Sequence, residues 1–349
     1  MRIKLFIKIL ICALGTLIIG EGVFFFLAFN QYNAIRANPV SVLAQAKHLE
    51  SENTEVFPSA GETVSTGSET ALKKVTIDGK EYQQNPNVIN ILICGVDYMS
   101  SRANRNLGER SDTIMICAID ANQNKVTLIS IHRDTRALVT KVDMETGRII
   151  NNEYNKINTA FAYGGGTSRY SYQNTVNCVE KLLNMNGQFD MSINYYVGLN
   201  IDGITHIADA LGGVTLTLED DFPGIGNKGN TVTLKGQKAI DFVRERHAFA
   251  SSDLARIQHQ QQFMIALAKK IQKMGAAQSV LKLFDKVTNY VDTNLNTDQM
   301  VALAMILDKV KIDLIEHATL PGQWKSPFIW PDENGMNDLI IKTYFTPVP

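Results

Sequence analysis

The chain has 349 residues, enough for one large domain or two modest ones, and its 45% hydrophobic and 20% charged content is that of a globular protein. A formal net charge of -1 lacks the basic footprint of a nucleic-acid-binding domain. The four cysteines, Cys12, Cys94, Cys117 and Cys178, show neither CxxC spacing nor a paired histidine pattern, so a zinc site or disulfide framework is excluded in favour of buried, inert thiols.

In chain order, the first element is apolar. Leu5 to Phe29 carries only Lys8 and Glu21 as charges, and about 20 such residues span a bilayer. Residues 1–30 are therefore expected to be a cytoplasmic stub and one transmembrane helix. Arg2, Lys4 and Lys8 place the N-terminus in the cytoplasm and the rest of the chain outside it. A cleaved signal peptide is the rival reading, but its apolar core would be shorter, and no A-x-A site is evident. Glu21 would cost free energy at membrane depth, or turn neutral. Residues 31–86 include "ESENTEVFPSAGETVSTGSET", a run without apolar periodicity, and read as a partly disordered extracytoplasmic spacer before a folded domain at 87–349.

"VINILICGVD" (88–97) predicts a strand covered on both faces that ends at Asp97. A second strand covers 113–119, just after Arg110, Ser111 and Asp112. "DANQN" is a turn, and "KVTLISI" (125–131) is a third strand ending in His132, Arg133 and Asp134. Antiparallel neighbours bring Asp97, Asp112 and Arg133 to one sheet edge. Carboxylates beside arginines fit magnesium shared with a phosphate. A structural salt-bridge network among Asp97, Asp112, Arg110 and Arg133 fits equally, and these residues alone leave both open.

"AFAYGGG" (160–166) lacks the Lys-Ser/Thr of a P-loop and reads as a helix ending in glycine. "DALGGV" (209–214) reads as a helix end and turn before a strand at 215–218. "LKGQKAIDFVRERH" (234–247) buries Ala239, Ile240 and Val243 on a helix, with Arg244 and Arg246 near the same side. The helix in 251–275 starts at the N-cap candidates Ser252 and Asp253. Its stripe of Ile257, Met264, Leu267, Ile271 and Met274 reads as a core face, with a lipid groove as the alternative. Arg256 and Gln260 lie one turn apart. A cation this close to a helix N-terminus opposes the dipole, which favours an anionic ligand there.

"NILICGVD", "GERSDTIMICAID", "KVTLISIHRDT", "KINTAFAYGGG", "YVGLNIDGITHIADALGGVTLTL", "LKGQKAIDFVRERH" and "DLARIQHQQ" together resemble the LytR-CpsA-Psr family in order and spacing, over about residues 88 to 275. A weaker match, "TLPGQW", lies near residue 319. The resemblance implies a three-layer α/β/α sandwich around a central mixed sheet, with an apolar groove for a lipid tail. It implies an extracytoplasmic, magnesium-dependent phosphotransferase of a Gram-positive-type envelope, with manganese as the alternative ion. Such an enzyme moves a glycopolymer (teichoic acid, capsule or similar) from a polyprenyl pyrophosphate onto peptidoglycan through a phosphodiester, releasing polyprenyl phosphate.

By motif position, Asp97 and Asp112 would hold the metal, and Arg110, Arg133, Arg244, Arg246, Arg256 and Gln260 the pyrophosphate. The expected catalytic set is Asp97, Asp112, Arg133, Arg244, Arg246 and Arg256. Two positions depart from the family pattern: His132 stands where proline is usual, and His259 where arginine is usual, exchanging a fixed charge for one that titrates near neutral pH. Asp97 or Asp134 is the better candidate base. His132 is a sharper alternative, and His247 is no better supported. Two other functions compete: a polyprenyl-pyrophosphate hydrolase, and a non-catalytic carrier-binding envelope regulator.

Overall fold

The computed structural model describes residues 33–44, 73–96, 109–166, 170–246, 248–249, 253–275, 283 and 287–348. Helical residues 33–37 lead into α1 (Pro39–Ala44). Then come β1 (Lys74–Ile77), β2 (Lys80–Gln84), β3 (Val88–Val96), β4 (Ser111–Asp120) and β5 (Lys125–Ile131). A side hairpin, β6 (Arg136–Val142) and β7 (Ile149–Lys156), precedes α2 (Thr159–Tyr163), α3 (Ser171–Leu183), β8 (Tyr195–Asn200) and α4 (Gly203–Ala210). The hairpin β9 (Val214–Thr217) and β10 (Thr231–Leu234) leads to α5 (Gln237–Arg244) and α6 (Asp253–Met274). The last elements are β11 (Val291–Thr293), α7 (Thr297–Leu307), β12 (Glu316–Thr319), the hairpin β13 (Gly322–Lys325) and β14 (Phe328–Pro331), α8 (Glu333–Tyr344) and β15 (Phe345–Pro347).

The central sheet has six strands in the order β11-β8-β3-β4-β5-β12. It is mixed: β4 is antiparallel to β3 and β5, while β8 and β12 add parallel strands outside them. Its middle strands are apolar on both faces because both faces are covered. Leu92, Cys94, Ile114, Ile116 and Ile129 pack toward α2, α3 and α8. One residue along, Ile91, Met115 and Leu128 turn toward α6, α7 and α1. The period-2 alternation of the strands thus feeds two separate cores, giving helix, sheet and helix layers. A third cluster closes β9 and β10 over α4, α5 and α6.

The antiparallel register of β3, β4 and β5 agrees with the sequence expectation, as does the glycine after α2 and the turn after α4. The expected spacer is corrected in two places. Ile35 and Leu43 are buried in the core beneath α7, and the Tyr195 hydroxyl donates to the Leu43 carbonyl at 2.6 Å. β1 and β2 form a hairpin whose second strand pairs with β15 at the other end of the chain. These strands are too short and too charged to show a pattern, and a distant partner decides them. The expected transmembrane helix lies outside the described residues, and among the described residues no helix is long and apolar enough to cross a membrane.

Glu180 on α3 is 6% exposed, and its carboxylate accepts the Ile193 N–H at 2.6 Å. Burial raises its pKa from the ordinary 4.5 to about 8, against the lowering effect of that N–H. Between those values the fold holds a proton that the unfolded chain releases, so stability falls as pH rises across that window. Glu180→Gln keeps an acceptor for Ile193 and removes the titration. Its unfolding temperature is expected to decline less than that of the unchanged protein between pH 5 and 8, and parallel declines would rule out a protonated Glu180.

Candidate active site

Four chain ends meet on one side of the sheet: the start of β4, the end of β5, the C-terminus of α5 and the N-terminus of α6. They enclose a polar cavity of about 410 Å³ whose lining includes Asp112, Arg133, Arg244, Arg246, Arg256 and Gln260. The helices suit their charges. Arg244 closes α5, where the dipole favours a cation, and Asp253 opens α6, where it favours an anion. Glu245 turns the chain after α5 by accepting the N–H groups of Arg246 and Ala248 at 2.8 and 3.0 Å, which carries Arg246 back over the site. Gln260 donates to the Val243 carbonyl at 3.1 Å and ties α6 to α5.

Arg133 bridges two carboxylates, with Nη1 3.3 Å from Asp112 and Nε 3.2 Å from Asp253. Asp253 also faces Arg256 at 3.0 Å, Arg246 at 3.9 Å and His132 Nε2 at 3.1 Å. Arg256 reaches back to the Asp112 carbonyl at 3.4 Å. Burial pulls the Arg256 pKa down, and Asp253 beside it pushes the other way. Asp253 is therefore the anion that gathers the arginines. The sequence reading gave it only as a helix cap, although its i,i+3 spacing to Arg256 was a usable signal. Asp253 also offsets the cost of Arg256 near the helix N-terminus, so that cost does not by itself call for an anionic ligand.

The Asp134 N–H donates to His132 Nδ1 at 3.1 Å, which puts the ring hydrogen on Nε2, toward Asp253. Burial lowers the His132 pKa, against Asp253 and Asp134. The His132 Nδ1 is taken by the Asp134 backbone, and its Nε2 stands beside Asp253. Asp134 lies outside the cavity lining and is held by Lys156 at 2.8 Å. His259 is buried among the rings of Phe222, Phe242 and Phe249, at 5.2, 5.0 and 4.6 Å. Burial lowers its pKa, so the expectation that it brings a titrating charge to the site is corrected. Arg110 is absent from the cavity lining. Asp97 and His247 lie outside the described residues.

Asp112 fits a magnesium ligand. It opens on the polar cavity, accepts from Asn158 at 3.4 Å, and stands among guanidinium groups that suit phosphate oxygens. Asp97 follows β3 directly, and the β3 residue before it, Val96, pairs with Ser111 next to Asp112. A second group with ligand atoms close together is His132, Asp134 and Asp253; Arg133, Arg256 and Lys156 face its carboxylates, as Arg133 faces Asp112.

Beneath the arginines the wall changes character. A narrow apolar neck of about 60 Å³ shares Gly95, Thr113, Ile201, Val243 and Gln260 with the polar cavity. The neck also shares Ile93, Met264 and Leu267 with a larger cavity of about 420 Å³, lined almost wholly by apolar side chains between the sheet, α6 and α7. A Cβ at Gly95 would stand 2.8 Å from Thr113, so glycine keeps this junction uncrowded. Met264 and Leu267 pack against the buried cores as expected and, with Ile271, also line the apolar cavity, so both readings of the stripe hold, and Ile257 is buried as expected.

The family model described as "LytR_cpsA_psr family" matches residues 56–343. A protein of Bacillus cereus named polyisoprenyl-teichoic acid–peptidoglycan teichoic acid transferase TagU is 29% identical over 290 residues, covering 82% of this chain and 78% of its own. The protein of that name from Halalkalibacterium halodurans is 31% identical over 214 residues, covering 60% and 62%. Among solved structures, B. subtilis TagV superposes with a TM-score of 0.58 at 23% identity, covering 74% of this chain and 96% of its own, a likeness of fold.

Proposed function

We propose, since this chain belongs to the LytR_cpsA_psr family, that it transfers a teichoic-acid-like glycopolymer from a polyprenyl-pyrophosphate carrier to peptidoglycan. One observation carries the reading: the arginine-lined cavity shares wall residues with a small apolar one, and that one with a larger apolar cavity, an order of surroundings that suits a charged pyrophosphate attached to a long apolar tail. The names of the two relatives supply the polymer class and the acceptor.

In this reading Arg133, Arg244, Arg246 and Arg256 hold the pyrophosphate oxygens, with Asp253 and His132 fixing the arginines beforehand. Asp112 and Asp97 would hold magnesium, or manganese in its place, which when bound would further neutralise the pyrophosphate charge. A peptidoglycan hydroxyl attacks the glycan-side phosphorus. The new P–O bond forms as the bond to the bridging oxygen breaks, and polyprenyl phosphate leaves with the electron pair. The hydroxyl proton goes to a carboxylate, with Asp97 the candidate, since Asp134 lies outside the cavity lining and is paired with Lys156. The apolar N-terminal segment would anchor the chain, with the domain on the outer side of the membrane, where the carrier and the wall meet.

The test supplies magnesium, a lipid-pyrophosphate-linked glycan and peptidoglycan. Covalent glycan on peptidoglycan, appearing only when the acceptor is present, is expected. Phosphate release independent of acceptor would mark a hydrolase instead, and tight lipid binding without turnover would mark a carrier-binding regulator.

A further inference from the structure

Beside the site lies a second surface, built on the β6–β7 hairpin. β6 starts two residues after Asp134. Arg136, Leu138, Thr140, Asn152, Tyr154 and Lys156 share one face of the β6–β7 hairpin by register, buried at Thr140 and open at Tyr154. The Arg136 guanidinium is sandwiched between two rings, 3.7 Å from the centre of Tyr154 and 4.4 Å from that of Trp330. Both rings remain open to solvent, Tyr154 by 56% and Trp330 by 39%.

The stack is joined to the site. Thr135 bridges Ile329, the Ile329 N–H donates to the Asp134 carbonyl at 2.9 Å, and Lys156 pairs with Asp134 at 2.8 Å. Asp134 in turn lies within 4.8 Å of His132 and Asp253 by their ligand atoms.

Exposed aromatic rings held flat have a cost in water and mark a binding surface. Rings set about a guanidinium suit a sugar polymer, whose C–H faces stack on aromatic faces while its hydroxyls take polar neighbours. We infer that the Tyr154–Arg136–Trp330 stack is the platform on which the acceptor glycan strand of peptidoglycan lies, leading its hydroxyl past Lys156 and Asp134 to the arginine cavity. The inference rests on the transferase reading for its occupant. Trp324 pairs with Ile329 in the β13–β14 hairpin and so occupies the face opposite to Trp330, which pairs with Gln323. Trp324 is not part of the platform.

The test uses the full chain in detergent and, as probe, soluble uncrosslinked glycan strands cut from peptidoglycan. Tyr154→Ala with Trp330→Ala is expected to weaken strand binding by about tenfold or more. In the transfer assay it should raise the acceptor KM with kcat and the donor KM near their original values. Tyr154→Phe should restore binding in the Tyr154 position, and Trp324→Ala should match the unchanged protein. Strand binding is read without turnover, so a protein that binds strands through the platform but transfers nothing would sink the transferase reading and keep the platform. Undiminished strand binding in the double variant, with its unfolding temperature unchanged, would overturn the platform. So would loss of binding to phosphatidylglycerol vesicles in place of glycan.

Discussion

Arg133→Ala is expected to lower transfer by roughly two to three orders of magnitude, the usual cost of removing one donor that stabilises transition-state charge. Arg133 is the side chain that joins the two carboxylates of the site, Asp112 and Asp253. Without it both anions lose a cation, and the pyrophosphate loses a planar fork. Arg133→Lys restores the charge but not the fork and should recover little. Asp112→Ala should fall as far, from the metal side of the same cavity. Steady-state rates with long-chain donor, beside unfolding temperatures, separate this from misfolding. A folded Arg133→Ala protein within tenfold of full activity would remove Arg133 from the site.

The second large effect is expected far from any charge. Cys117 on β4 and Leu303 on α7 line the apolar cavity from opposite walls. A tryptophan at either position fills space that a prenyl tail would use. Each buried methylene contributes about 0.8 kcal/mol, so displacing even one isoprene unit exceeds a tenfold change. Cys117→Trp and Leu303→Trp are expected to raise the KM for a long-chain donor by at least about tenfold. A donor with a two-unit tail should be turned over as before. Overpacking can destabilise a core, so two variants from two walls guard against one failing to fold. Equal loss with both donors would mean that the cavity does not receive the tail.

What the residues disclosed follows from how each contact is made. β3, β4 and β5 were legible because they are continuous apolar runs bounded by charge. Their short connections force the antiparallel order that sets Asp112 beside Arg133. Arg256 and Gln260 were legible because helical spacing puts them on one edge. Asp253 was not: a helix-capping acid and an anion holding several cations look the same in one dimension. The stripe on α6 was legible as apolar, but period 3.6 cannot say whether atoms or space lie opposite, and the stripe serves both the cores and the cavity wall. His259 was misread because its phenylalanine neighbours come from three separate stretches of chain. β1 and β2 were missed because their partner is β15. The ring stack at Arg136 was invisible for the same reason, since Trp330 arrives from a hairpin remote in sequence.

The most direct test is a crystal structure of the chain from residue 33 onward with a polyprenyl pyrophosphate and magnesium. Pyrophosphate oxygens are expected within hydrogen-bond distance of Arg133, Arg244, Arg246 and Arg256, and a tail that passes Gly95 and Thr113 into the space between α6 and α7. A pyrophosphate bound away from these arginines, or a tail lying on the outer surface with the inner cavity collapsed, would contradict it.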